Sequence, residues 1–404
     1  MLTRVGVPVE LEAEPSAPDP QPATLICFSH LRWNFVFQRP QHLMSRFARE
    51  MSVIFWEEPV DIGRKETAYL RVREDDASGV VVVVPHLPEG MPQDAREAAL
   101  KRLLDAHLAS RPGPFVAWYY TPMMLPFSRH IDAAVTVYDA MDELSKFKFA
   151  PEHLLELEQE LIDGTDIVFT GGSSLYEAKK NRHSNVHCFP SSVDRTHFAK
   201  ARARLFDPAD QEDLPRPRFG FYGVIDERFD TELLAKAAEM RPNWAFVMVG
   251  PVVKIADEDL PKRPNICYLG SKTYAELPAY LSGWDVALMP FAMNESTQFI
   301  SPTKTPEYLA GGKPVVSTPI KDVVRHYGHL EGVKIAATAD EFVAACDEAL
   351  ELSRNRENGW LAEADLMLSA TSWDTTQARM GGLIAELLGT RTAAESSALL
   401  VAAE

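Results

Sequence analysis

The chain has 404 residues, enough for two domains of ordinary size, and its 46% hydrophobic and 25% charged residues are typical of a globular protein. A formal net charge of -17 argues against sequence-independent nucleic-acid binding, because such binding neutralises phosphates. No apolar run reaches the length of a membrane span. Residues 1–22 lack the basic start and apolar core of a signal peptide and are interpreted as a disordered leader. We therefore expect a cytoplasmic protein, with room for peripheral contact at the inner membrane face.

Apolar segments of strand length alternate with helical patterns over residues 23–199. This alternation predicts a doubly wound α/β domain with a mainly parallel sheet. The predicted strands lie at 23–28, 52–56, 80–84, 115–118, 133–138 and 167–170, and the predicted helices at 38–49, 95–110 and 151–164.

A charged segment with three prolines, residues 200–218, shows no periodicity and is predicted to link two domains. The α/β pattern then restarts over residues 219–370. Its predicted strands lie at 219–222, 245–249, 266–269, 286–289, 314–317 and 333–336, and its helices at 231–240, 274–282, 303–310 and 341–352. A last helix is expected over 371–389, followed by a disordered tail over 390–404.

The segment SPTKTPEYLAGGKPVVS, residues 301–317, carries the clearest functional pattern. Ser301 and Pro302 suit the cap and first position of a helix, and the glycine pair suits a left-handed exit before a buried strand. Such a helix start presents free N–H groups and the positive end of a dipole, which suit a diphosphate. Glu307, just inside the helix, is placed to accept hydrogen bonds from sugar hydroxyls.

This segment resembles the nucleotide-sugar signature of GT-B glycosyltransferases, in which a glutamate binds the ribose of the donor. Glu307 matches that glutamate. The other matching positions are Lys304, Tyr308, Ala310, Gly312, Lys313 and Pro314. Phe299 stands where the wider pattern has an acidic residue, so the resemblance does not imply a strict copy of the retaining mechanism.

The resemblance covers about residues 23–388 and implies the architecture of the family. Two Rossmann-like domains are expected to face each other across a cleft. The N-terminal domain would bind the acceptor and the C-terminal domain the nucleotide sugar. The last helix is expected to cross back to the N-terminal domain, as it does in that family.

On the donor side, several candidate residues follow predicted strands, where open α/β sheets bind ligands. Gly223 permits a close turn, and Arg228 is predicted to reach the diphosphate, with a surface Arg–Asp pair as the alternative. Lys254 is either a second phosphate contact or a solvated lysine. The loop that leads into the Glu307 helix is expected to border the donor sugar. Further candidates for donor binding on this loop and helix are Thr297, Ser301 and Lys304.

On the acceptor side, the runs HLRW and QRPQH follow the first predicted strand. They are similar to a run in a group of bacterial glycosyltransferases. Trp33 could stack on a sugar, while Arg39 and Gln41 offer hydrogen-bond donors near the cleft. The alternative is a helix start whose polar residues form a cap and whose tryptophan belongs to the core.

Sugar transfer to an alcohol benefits from a general base that takes the hydroxyl proton. Asp139 and Asp142 follow a predicted strand and are candidates, with Asp142 favoured. Some inverting relatives use an aspartate in this domain, whereas many retaining ones have a cleft histidine, for which His30 or His86 could stand. The alternative is that these carboxylates cap the next helix or stay in solvent.

The expected activity is therefore transfer of a sugar from a nucleotide-diphosphate donor, with a UDP-sugar favoured, to a saccharide or lipid-linked acceptor in polysaccharide or envelope-glycan assembly. No metal-ligand cluster stands out, and no obligate metal or other cofactor is expected. Related chains occur joined to UDP-galactopyranose mutase, which suggests association with that enzyme. A nucleotide-sugar 2-epimerase of the same fold, or a degenerate protein that only binds nucleotide sugar, stays open as an alternative.

Overall fold

The computed structural model describes residues 23–402 except 112, 204 and 356–358, with side chains described as far as residue 391. The expected leader over 1–22 lies outside the described residues. Two α/β domains follow one another in the described chain, which confirms the predicted fold class.

The N-terminal domain is built around a largely parallel sheet. Its strands are β1 Thr24–Ser29, β2 Ser52–Glu57, β3 Val60–Ile62, β4 Tyr69–Glu74, β5 Val81–Pro88, β6 Phe115–Tyr119, β7 Ala133–Ala140, β8 Ile167–Thr170 and β9 Val186–Cys188. Their order is β3-β5-β2-β1-β6-β7-β8-β9, and β4 pairs antiparallel with β5 at the edge. The helices are α1 Arg39–Phe47, α2 Gln93–Leu108, α3 Leu125–Ser128, α4 Leu154–Gly164, α5 Ser173–Lys179 and α6 Arg195–Ala199.

The C-terminal domain has a six-stranded parallel sheet in the described chain. Its strands are β10 Arg218–Tyr222, β11 Ala245–Val249, β12 Ile266–Tyr268, β13 Val286–Met289, β14 Val315–Ser317 and β15 Val333–Ile335, in the order β12-β11-β10-β13-β14-β15. The helices are α7 Thr231–Met240, α8 Leu277–Ser282, α9 Lys304–Ala310, α10 Lys321–Tyr327, α11 Ala339–Arg354, α12 Trp360–Ser369 and α13 Trp373–Ala402.

The central strands are apolar on both faces because helices cover both faces of each sheet. Every residue of β1, β10 and β11 is buried. Continuous apolar runs of this kind are typical of parallel sheets, and they made these strands predictable. Strand β4 was not predicted, because it is an edge strand with mostly exposed residues, including Arg71 and Glu74, and so has no apolar run.

Helix α13 leaves the C-terminal domain and packs against the N-terminal one. Trp373, Met380 and Ile384 lie in the same apolar cluster as Phe47 of α1. At the start of α13, Asp374 pairs with Arg46 at 3.1 Å between the carboxylate and Nε. The helix continues through Ala402, so helix covers most of the segment expected to be a disordered tail. Its Ala- and Leu-rich composition has high helix propensity.

Direct contacts also join the two domains along the cleft. The carboxylate of Asp322, at the start of α10, accepts hydrogen bonds from the N–H and Oγ of Ser174 in α5, at 3.0 and 2.6 Å to Oδ1. Nearby, Ser173 Oγ lies 2.9 Å from His326 Nε2. An Asp side chain of one domain therefore caps a helix of the other, which fixes how the two sheets face each other.

Candidate active site

A cleft of about 1200 Å³, counting its part open to solvent, lies between the two domains at the carboxyl ends of both sheets. On the N-terminal side it is lined by Phe35, Val36, Phe37, Gln38, Arg39, Met141, Asp142, Gly171 and Ser191. On the C-terminal side the lining includes Tyr222, Gly223, Arg228, Gly250, Lys272, Tyr274, Phe291, Ser301, Lys304 and Glu307. In open α/β sheets this is the place where ligands bind.

The floor of the C-terminal side is a pair of glycine turns after β10 and β11. Gly223 and Gly250 have φ of 145° and 143°, a region that favours glycine. A Cβ on Gly250 would lie 1.8 Å from the carbonyl oxygen of Gly223, and a Cβ on Gly223 would lie 2.2 Å from Cε of Lys304. The two turns therefore pack backbone against backbone, and Lys304 lies where any side chain at position 223 would go.

Glu307 is held in place by two tyrosines. Tyr222 Oη donates a hydrogen bond to Glu307 Oε2 at 2.8 Å. The hydroxyl of Tyr308, the next residue of α9, accepts the N–H of Tyr222 at 3.0 Å. Helix α9 is thereby tied to the end of β10. Burial raises the pKa of Glu307 to about 7, partly offset by the hydrogen bond from Tyr222 and the charge of Lys304.

Lys304 and Arg228 bring positive charge to the same part of the cleft. The ammonium group of Lys304 makes no hydrogen bond in the described chain, and its Nζ lies 5.7 Å from the ring centres of Phe221 and Phe291. Burial lowers its pKa to about 8. The guanidinium of Arg228 pairs with Asp226 at 2.6 Å and leaves further N–H donors for a ligand.

Asp142 faces these cations from the N-terminal domain and has no hydrogen-bond partner among the described residues. Burial raises its pKa to about 6, against the lowering effect of the Arg228 charge. His30 lies beside this region, and its buried Nδ1 has no hydrogen-bond partner among the residues that the structure describes. Burial lowers the pKa of His30 to about 4, and the charge of Lys254 adds to this effect, so the imidazole is neutral near pH 7. Of the two, Asp142 lines the cleft.

Asp139 and Arg39 form a buried ion pair. Arg39 donates from Nε and Nη2 to the two oxygens of Asp139 at 2.9 and 2.8 Å, and from Nη1 to the carbonyl of Phe189 at 2.8 Å. Their exposed fractions are 0% for Asp139 and 2% for Arg39. The structure therefore places Asp139 within the domain rather than in the cleft. The ion pair also neutralises the charge of Arg39. These contacts correct the expectations that Asp139 is available as a general base and that Arg39 offers free donors to an acceptor.

Trp33 and Gln41 are likewise structural. Trp33 is buried and packs edge-on against Phe55 at 5.0 Å between ring centres. Gln41 belongs to the capping box of α1, and its Nε2 donates to the carbonyl of Trp33 at 3.0 Å. Neither residue lines the cleft, because Trp33 packs in the apolar core and Gln41 caps the helix.

Three donor-side candidates have different outcomes. Thr297 is buried, and its Oγ1 donates to the carbonyl of Ala292 at 2.6 Å, so its side chain stabilises the loop and does not line the cleft. Ser301 lines the cleft, but its carbonyl accepts a bond from Ser191, and α9 begins at Lys304 rather than at Pro302. Lys254 lies outside the cleft lining, with φ of 61° and its Nζ 5.3 Å from the ring centre of Phe147.

Of three further aromatic residues in the cleft, Phe35 and Phe37 were not predicted from the sequence. Phe35 and Phe37 follow Trp33, and Tyr274 lies between β12 and α8. Phe37 stacks on Tyr274 at 4.6 Å between ring centres, across the domain boundary. The hydroxyl of Tyr274 is buried without a hydrogen-bond partner in the described chain. The only available signal was the cluster of aromatic residues in a loop after β1.

Residues 216–352, which include Gly223, Arg228 and Glu307, match the family model described as Glycosyl transferases group 1. This region is a group 1 glycosyltransferase domain. Over 139 residues the chain is 32% identical to a Bacillus subtilis (strain 168) protein with the provisional name teichuronic acid biosynthesis glycosyltransferase TuaH. That match covers 32% of this chain and 34% of the relative, about a third of the relative's length.

Solved structures resemble nearly the whole chain. Sucrose-phosphate synthase from Thermosynechococcus elongatus has a TM-score of 0.66 and 16% identity, covering 91% of this chain and 100% of that one. An α,α-trehalose-phosphate synthase (UDP-forming) from Burkholderia xenovorans, solved in complex with glucose-6-phosphate, has a TM-score of 0.64 and 11% identity, covering 90% and 99%. These likenesses confirm the GT-B fold, with the group 1 glycosyltransferase domain as its C-terminal half.

The different surroundings of the two aspartates predict different effects on stability. Asp139→Asn breaks a buried ion pair and leaves Arg39 charged and unpaired, so the free energy of unfolding should fall by about 3–5 kcal/mol. Asp142→Asn removes a carboxylate that has no hydrogen-bond partner among the described residues and should leave stability unchanged or slightly higher. Urea denaturation of both variants measures this difference. Equal losses for both would contradict the assignment of Asp139 to the core and Asp142 to the cleft.

Proposed function

We propose that the protein is a glycosyltransferase that moves a sugar from a nucleotide-diphosphate donor, with a UDP-sugar favoured, to a hydroxyl acceptor. The observation that carries the proposal is Glu307. It is a buried carboxylate held by Tyr222 at the interdomain cleft, inside the region that matches the glycosyltransferase family model. The trehalose-phosphate synthase of the same fold is named as UDP-forming, which supports the choice of nucleotide.

In this proposal Glu307 binds the ribose of the donor. A carboxylate offers about four acceptor sites, so the hydrogen bond from Tyr222 leaves room for two ribose hydroxyls. Hydrogen bonds to a charged acceptor are the strong ones, which suits a residue that must position the nucleotide. The aromatic ring of Tyr274 lines the same cleft, and in this proposal it borders the end of the cleft that holds the nucleoside.

The diphosphate is proposed to lie between Lys304 and Arg228. Negative charge grows on the leaving diphosphate as the bond between the anomeric carbon and the phosphate oxygen breaks. Fixed cations in a site with little water stabilise that charge. Among the described residues, no group of three or more His, Cys, Asp and Glu side chains could hold a metal ion. We propose that the two cations serve the diphosphate without an obligate metal.

Asp142 is proposed as the general base. As the acceptor oxygen bonds to the anomeric carbon, its proton passes to a carboxylate oxygen of Asp142, and the nucleoside diphosphate leaves. A base with a pKa of about 6 is mostly ionised at neutral pH yet still basic enough to take the proton as the oxygen becomes positive. His30 is a weaker base than Asp142, because burial lowers its pKa to about 4, and it lies outside the cleft lining.

The finer expectations from the resemblance remain proposals. These are a saccharide or lipid-linked acceptor in polysaccharide or envelope-glycan assembly, contact with the inner membrane face, and association with a UDP-galactopyranose mutase. The provisional name of the TuaH relative supports a cell-envelope glycan. In the described chain, no helix combines the length and apolar character needed to cross a membrane.

Glu307→Gln should weaken UDP binding by about one to two orders of magnitude, because each charge-assisted hydrogen bond contributes roughly 1.5–3 kcal/mol. Isothermal calorimetry, with EDTA and with magnesium, measures the loss. Glu239→Gln, an exposed change in the same domain, is the matched control. UDP affinity of the wild type should also fall as the pH drops through about 7, where Glu307 takes up a proton.

The terminal phosphate of UDP also titrates near this pH, but it does so with both proteins. The difference between the pH dependence of UDP affinity in the wild type and in Glu307→Gln therefore reports the carboxylate alone. A pH dependence that is identical in the two proteins, or an unchanged affinity in the variant, would remove Glu307 from the donor site.

Asp142→Asn should leave UDP affinity unchanged or slightly higher, because the lost carboxylate repels phosphate, and should lower turnover by about 10²- to 10⁴-fold, the usual contribution of a general base. The turnover of the wild type should fall as the pH drops through about 6, where Asp142 takes up a proton. Release of free UDP from a panel of UDP-sugars, followed by chromatography, measures turnover and would separate transfer from epimerisation. Wild-type turnover in the variant would exclude Asp142 as the base.

A further inference from the structure

The acceptor half of the cleft has a distinct chemical character. Its lining is aromatic, apolar or neutral except at two positions, Arg39 and Asp142. The charge of Arg39 is neutralised by Asp139, and its third donor is engaged by a backbone carbonyl. An anionic group on this side would therefore find no free cation among the described lining residues.

Asp142 also disfavours an anionic group on the acceptor side. Its carboxylate lines the cleft and has no hydrogen-bond partner in the described chain. A carboxylate accepts hydrogen bonds from hydroxyls and repels a phosphate. The cations that the proposed function assigns to the donor diphosphate, Lys304 and Arg228, lie on the opposite domain. Arg228 pairs with Asp226, so Lys304 is the lining cation without an ion-pair partner among the described residues.

Two phenylalanines supply a surface for a sugar ring. Phe35 is 48% exposed and makes no ring contact among the described residues, and Phe37 is 39% exposed with one face on Tyr274. Exposed aromatic rings in a polar cleft mark a binding surface for a flat apolar face. The C–H face of a hexose is such a face, while its hydroxyls remain available to Asp142.

We propose that the acceptor is an uncharged sugar residue that stacks on Phe35 and presents a hydroxyl to Asp142, and that a phosphorylated sugar is excluded. This inference rests on the proposed glycosyltransferase function and specifies its acceptor class. It separates this chain from the trehalose-phosphate synthase of similar fold that was solved with glucose-6-phosphate.

The test is saturation-transfer NMR on the full chain saturated with UDP. The ligands are the methyl glycosides of glucose, galactose and mannose, each compared with the 6-phosphate of the same sugar. At least one neutral glycoside should receive saturation on its ring protons, and its 6-phosphate should receive none. Phe35→Ala should weaken that binding about two- to tenfold, which is the contribution of one aromatic stacking contact, and Phe35→Trp should retain it.

Phe206→Ala is the matched control, because Phe206 is 98% exposed and does not line the cleft. UDP affinity, measured first by calorimetry, should be equal in the wild type and all three variants. Failure of the wild type to bind UDP would overturn the proposed function itself. With UDP bound, the acceptor proposal is overturned by equal saturation of a 6-phosphate, by no saturation of any neutral glycoside, or by equal binding in Phe35→Ala and the wild type.

Discussion

The chemistry of the cleft depends on ionisable side chains that the two domains bury without satisfying all of their hydrogen bonds and ion pairs. Glu307, Asp142 and Lys304 have pKa values shifted by burial to about 7, 6 and 8, each toward the neutral form. Burial of a charge is unfavourable unless a partner compensates for it. A ligand that combines hydroxyl donors with a dianionic diphosphate would supply those partners, and a nucleoside diphosphate has both. The electrostatics of the cleft and of the proposed donor therefore complement each other.

The geometry of this charge cluster is set by the way the domains are joined. Asp322 caps α5 across the domain boundary, Ser191 bonds to the carbonyl of Ser301, and α13 returns to the N-terminal sheet. Ser301 lies three residues before Lys304, so the loop that carries the donor lysine is itself an interdomain contact. We infer that a change in the angle between the domains would move Asp142 relative to the donor site.

The candidate residues of the donor side could be grouped from sequence because they belong to local patterns. Lys304 and Glu307 lie in one segment that resembles the GT-B signature, and Gly223 follows a buried strand, where open α/β sheets bind ligands; the structure brings all three to the cleft. Tyr308 and Lys313 of the same segment prove structural: the first anchors Tyr222, and the second donates from Nζ to the carbonyls of Ser282 and Trp284. A motif therefore identified the site without separating its binding residues from its scaffold.

The acceptor side was less predictable because its decisive contacts are remote in sequence. Arg39 and Asp139 are 100 positions apart, and nothing local shows that each neutralises the other. Two candidates three positions apart, Asp139 and Asp142, lie in different environments because the strand ends between them at Ala140. Phe35 belongs to no recognisable motif. Its place in the cleft could not be predicted, because the cleft forms only between the two folded domains.

The most direct test of the account is a crystal structure of the protein with UDP. The account predicts that both ribose hydroxyls lie within hydrogen-bond distance of the Glu307 carboxylate, with the diphosphate between Lys304 and Arg228 and the β-phosphate directed toward Asp142. UDP bound elsewhere, or bound in the cleft with its ribose away from Glu307, would contradict the account.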